Sequence, residues 1–167
     1  MTDYTLGEQM LPARVLTEIG IYLQSAAHLE LTIWQIIMYA DGEFLPEKEK
    51  LINYLEIKKV TPTLLKEIKS SVSKVPPKLG IRLAELAKKM EVGLINRNYA
   101  AHGAFFLDPP TMSLRASHYY PQGKGSNRTW YEASGSLNRR QVSNAIEEID
   151  ALLREAVEIR IELEKSR

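Results

Sequence analysis

Residues 95–105 read INRNYAAHGAF, and the fold turns on where this stretch stops being helical. Upstream of it, from about Leu79, Leu83, Leu86, Met90, Leu94 and Ala101 recur at the spacing of one helical face. Downstream of Gly103 that spacing gives way to alternation, so Gly103 is expected to be the left-handed residue that ends the helix. The stretch also sets Arg97, Asn98 and His102 near the apolar Ile95, Phe105 and Phe106. Polar groups are costly there unless they find partners or a task.

Working toward the N-terminus, Leu11 to about Tyr39 forms a long apolar helix, with Val15, Ile19, Leu23, Ala26, Leu29, Ile33 and Ile36 in steps of three and four. Pro12 suits its first turn, and ADGE at 40–43 breaks it. LPEKEKLINYLEI (45–57) is expected to be a second helix, with Leu51, Tyr54 and Leu55 inward. VTPTLLKEIKSSVSKV (60–75) is a third, with Thr61 as cap and Pro62 at its first position, ended by PPK at 76–78.

Toward the C-terminus, TMSLRASHYY alternates, PQGKGSN is a turn cluster, and RTWYEAS is β-prone, together a hairpin over about residues 111–133. Asn138 followed by Gln141 has the form of a capping box and opens a closing helix. Val142, Ala145, Ile149, Leu152, Leu153, Ala156 and Leu163 form its inward stripe. There is no internal repeat and no linker. The expectation is a single all-α domain over 1–167, a bundle of four or five helices with a β-hairpin inserted before the last.

Composition narrows the function. The 167 residues include 44% apolar and 26% charged side chains, as in a globular domain. The absence of cysteine excludes disulfides, zinc-thiolate sites and thiol nucleophiles, and makes the cytoplasm the expected setting. No apolar run approaches the ~20 residues that span a bilayer, and MTDYTLGEQM carries no secretory signal pattern. A net charge of +1 argues against coating nucleic acid by bulk charge but leaves room for a local basic site.

His28, His102 and His118 are too scattered for a local metal-ligand motif, so neither metal nor cofactor is expected. GKGS at 123–126 departs from a phosphate loop, since no Ser or Thr follows Lys124 directly, and reads as a turn. No G-x-S-x-G elbow offers a serine nucleophile. The hairpin residues Arg115, His118, Tyr119, Tyr120, Lys124, Arg128 and Trp130 have the types that grip single-stranded nucleic acid by stacking and charge. A solvated hairpin with a few packed aromatics is the preferred reading of the same residues.

RNYAAH remains. At roughly 100° per residue, Asn98 and His102 stack on one face, while Arg97 lies roughly 140° from His102. Within one chain only the length of the arginine side chain, or a distorted last turn, brings the two to one point. A second copy of the helix across a two-fold axis would supply a facing Arg97 and His102 more easily. The plain alternative is a helix C-terminus whose cations meet the dipole.

RNYAAHG resembles the R-x4-6-H motif of the HEPN superfamily, in the form where Asn follows the Arg and Ala precedes the His. A long first helix containing HLE, the motif at the end of a later helix and a closing helix are also similar to the HEPN layout. The resemblance spans most of the chain as architecture and residues 97–103 as sequence. It implies a metal-independent endoribonuclease, often a toxin or antiviral effector, dimeric through the motif face. Arg97 and His102 would then be catalytic and Asn98 would support them. Tyr99 and Glu30 are candidate supporting residues, Glu30 as the carboxylate that holds Arg97. Arg115, His118, Lys124 and Arg128 are candidate RNA contacts.

Expected partners are RNA, a second copy of the chain and, for a toxin, a cognate antitoxin, with no membrane. Ile33, Trp34, Ile36, Ile37 and Met38 are read as surplus apolar surface for the second copy. The rival readings are a catalytically silent HEPN-like module binding a nucleotide or a protein, and a structural bundle in which RNYAAH is a polar helix end.

Overall fold

The computed structural model describes residues 10–42, 52, 61–108, 111, 113–123 and 125–166. Among these the chain is mostly helical: α1 (Ala13–Ala40), α2 (Thr61–Ser71) with a 3-10 turn (Val72–Lys74), α3 (Pro77–His102) and α4 (Arg139–Lys165). Between α3 and α4 lie strands β1 (Ala104–Asp108), β2 (Ser113–Gln122) and β3 (Thr129–Leu137). The helix expected at 45–57 lies, apart from Ile52, outside the described residues. The chain divides into two compact units, Met1–Gln24 with Leu94–Glu148, and Ser25–Gly93 with Ile149–Arg167.

The unit of Ser25–Gly93 with Ile149–Arg167 holds most of the large buried side chains. Ile33, Ile36 and Ile37 of α1, Leu64 and Ile68 of α2, Leu83 and Leu86 of α3, and Ile159 and Leu163 of α4 are all fully buried. Burying a side chain of this size contributes ~1.5–3 kcal/mol. This overturns one expectation: Ile33, Trp34, Ile36, Ile37 and Met38 are not spare surface for a partner, because all five are buried in the chain's own core. The end of α1 is covered all round, from Ile36 to Ala40, before Gly42 turns the chain at φ 94°, a conformation that favours glycine.

Arg82 of α3 meets three carboxylates of α4. Its Nε donates to Glu155 at 2.7 Å, Nη2 to Glu158 at 3.0 Å, and Nη1 to Glu162. Positions 155, 158 and 162 are three and four apart, so one helical face offers all three. The hydrogen bond from Arg82 holds the Glu155 carboxyl below its usual range, against the opposing effect of burial. A lowered folded-state value means this support is present at neutral pH and fades as the medium is acidified through it.

In the other unit the strands form one antiparallel sheet in the order β1-β2-β3. It is larger than the hairpin expected over 111–133. AFFLD adds a third strand, and β3 runs on to Leu137. Five residues are too few for alternation to be told from a helix tail, so pairing with β2 decided that segment. Phe105, Leu107, Leu114, Ala116, Gly135 and Leu137 share one face by register, since side chains alternate along a strand and directly paired residues point the same way.

The capping box is present as expected, and it opens α4. Asn138 N donates to Gln141 Oε1 at 2.8 Å and Gln141 N to Asn138 Oδ1 at 2.9 Å, satisfying two backbone donors at the helix start.

Candidate active site

Arg97, Asn98 and His102 stand on the last two turns of α3. Arg97 and Asn98 are half-buried and His102 is exposed. Arg97 Nη1 faces Asn98 Oδ1 at 3.5 Å, the long limit for a hydrogen bond. The helix does end after His102, but Gly103 is not left-handed: the positive-φ glycines among the described residues are Gly42, Gly123 and Gly125. Its need for glycine is steric. Gly103 N donates to Tyr99 O at 2.8 Å, and a Cβ there would press on that same carbonyl closer than real Cβ atoms come.

Gly103→Ala is therefore expected to cost ~1–3 kcal/mol, as overpacking does, and to displace His102. Chemical denaturation checks the first effect and a proton–nitrogen spectrum of the His102 ring the second. An unchanged midpoint with an unmoved ring would refute both.

The sheet brings a second imidazole to the motif. His118 of β2 stacks on His102, ring centroids 5.9 Å apart at 27°. It also stacks on Tyr120, two residues along the same strand, at 5.8 Å and 23°. Tyr99, one turn before Gly103, meets His118 edge-on at 6.2 Å. Tyr120 in turn stacks on Tyr131 of β3, its register partner, at 6.1 Å. A row of rings thus runs from the end of α3 along one face of the sheet.

The hairpin's two arginines fall elsewhere. Arg115 lies over the ring of Phe106 at 5.9 Å. It is three positions from His118 on β2, so it emerges from the opposite face of the sheet. Arg128 caps the Trp130 ring at 5.1 Å near the hairpin tip. Lys124 is outside the described residues, and Glu30 is half-buried on α1 in the other unit. Sequence reasoning had no place for Tyr131 and saw His118 only as a hairpin contact. The available signal was the period-two run Leu114, Ala116, His118, Tyr120, which puts the imidazole on the inward face.

Beside the motif lies a cavity of about 380 Å³. Asn96, Tyr99 and Ala100 of α3 form one wall, and Tyr22, Ala116 and Glu148 contribute to the others. Tyr22 is buried, and burial first, then the Glu148 carboxylate, push its phenol up to about 12, with Arg97 opposing. Tyr22 is thus a neutral hydroxyl at physiological pH, not a base. Among the described residues no group of three or more His, Asp or Glu side chains converges as a metal site requires. None of the described helices is long and apolar enough to cross a membrane.

The chain matches no family model, no curated protein and no solved structure.

Proposed function

We propose that this chain is a HEPN-type endoribonuclease that cleaves RNA without a metal, acting as a toxin or antiviral effector. The observation that carries the reading is the end of α3, where an exposed His102 follows half-buried Arg97 and Asn98. RNA supplies its own nucleophile, the ribose 2′-OH. His102 takes up that proton as general base. The 2′-oxygen bonds to phosphorus, the bond from phosphorus to the 5′-oxygen breaks, and the His102 of a second copy gives its proton to that leaving oxygen. Arg97 keeps its charge and offers a planar fork to the phosphorane oxygens, while Asn98 orients the phosphate. A second copy of the chain, set against the motif face, supplies the facing Arg97 and His102. The setting is cytoplasmic, and a toxin would be held in check by a cognate antitoxin.

Incubating purified protein with single-stranded RNA in EDTA tests this. The expected products carry a 2′,3′-cyclic phosphate and a 5′-hydroxyl. Intact RNA, or fragments with a 5′-phosphate, would refute the reading.

The cavity supports a second reading, a silent module that binds a nucleotide, since about 380 Å³ lies in the range of small-ligand sites. Charge counts against it: Glu18 and Glu148 line the cavity, and carboxylates there repel nucleotide phosphates. The ribonuclease reading is preferred on that ground.

A further inference from the structure

His118 is packed as if for structure alone. Its ring stacks with those of His102 and Tyr120, and Tyr99 meets it edge-on. Its register partner on β3, Ala133, brings no charge. A phenyl ring would fill this slot at no polar cost. An imidazole does not, because its Nδ1 is buried and lacks a hydrogen-bond partner. Such an orphan costs ~1–3 kcal/mol, and a polar group kept at that cost asks for a reason.

The orphan decides the tautomer. A proton on Nδ1 would be a buried donor with nothing to accept it, a rarer and costlier arrangement than an unused acceptor. The proton therefore sits on Nε2, across Cε1 from the buried nitrogen. A base at Nε2 would have to move that proton to the buried Nδ1, and an acid would have to add a second one there. Neither suits this slot. A fixed donor does.

We propose that His118 is a substrate-contacting residue of this site, an imidazole whose Nε2–H donates to a phosphate oxygen of RNA held at His102. The assignment rests on the ribonuclease reading and supplies a donor from within the same chain. No proton is transferred by His118. Its hydrogen bond strengthens as negative charge builds on the phosphorane, which is how a fixed donor lowers a barrier. The two stacked rings hold the imidazole plane in advance of the substrate, so little reorganisation is left for the reaction. The groups facing it are His102 and Tyr99 from α3 and Tyr120 from its own strand.

The test compares His118→Phe with His118→Gln on single-stranded RNA across pH, after checking that both variants unfold cooperatively. Phenylalanine keeps the stack and loses the donor, whereas the glutamine amide places an N–H near the position of Nε2. The expected result is a ~10²–10³-fold loss of kcat for His118→Phe, the size seen when one oxyanion donor is removed. Partial recovery is expected for His118→Gln, with the shape of the pH profile unchanged in both. Full activity in His118→Phe would make the residue structural and overturn the proposal. Loss of a limb of the pH profile would make His118 a titrating catalyst and overturn it equally. Nitrogen-15 spectra of the resting protein supply a readout free of cleavage: a proton on Nε2 supports the assignment and one on Nδ1 defeats it. Should the wild type leave RNA intact while the spectrum shows Nε2–H, the ribonuclease reading fails and the tautomer stands.

Discussion

His102→Ala is expected to lower RNA cleavage by roughly 10²–10⁴-fold, the range general acid–base catalysis contributes. Arg97→Ala is expected to lose roughly 10²–10³-fold, the cost of one preorganised donor to developing charge. Arg97 acts as a fixed charge, because a guanidinium keeps its proton. Both proteins should unfold like the wild type, since His102 is exposed and Arg97 half-buried. Mixing them probes assembly. In a site shared across a two-fold axis, one mixed site in each heterodimer regains an intact Arg97 with an intact His102, and part of the activity returns. No recovery on mixing, with active wild type, would place the whole site in one chain. His102→Ala with full activity would end the ribonuclease assignment.

The largest stability effect is expected at Leu83 on α3, which is 0% exposed. Leu83→Ala removes the buried groups and leaves a cavity that its fixed neighbours close only in part. That combination costs ~2–5 kcal/mol, a large share of the ~5–15 kcal/mol by which a domain is stable. Ile81 is the control. It sits two residues earlier on the same helix but is 70% exposed, so Ile81→Ala should change stability by less than ~0.5 kcal/mol. Urea denaturation of both variants reads the difference, provided the slope is unchanged. Equal effects at the two positions would contradict the face of α3 assigned to the core.

Reading α1, α3 and α4 from the sequence needed only local information. Leu83, Leu86 and Met90 repeat at helical spacing, and all are buried. Pro77 begins α3 two residues before the expected Leu79, as proline does at a first helical position. Asn138 and Gln141 announce α4 because a cap bonds to backbone groups only three residues away. The motif residues were legible for the same reason: Arg97, Asn98 and His102 are near neighbours on one helix end.

What the sequence could not settle depends on pairs far apart along the chain. Gly103 looked left-handed because glycines that end helices often are, whereas its actual constraint is the Tyr99 carbonyl. Ile33 and Ile36 looked surplus because their apolar face was visible but the residues covering them were not. AFFLD became β1 only by pairing with β2 in one register. His118 shows the difference most plainly. By itself it is one polar residue in a hairpin, sixteen positions from His102. It reaches His102 because β1 carries the chain away from α3 and β2 returns antiparallel to it, setting Ser117 opposite Ala104. Helical spacing and capping act over one or two turns and can be read directly. Register and ring stacking are set by the sum of many weak contacts across strands, which only the folded chain evaluates.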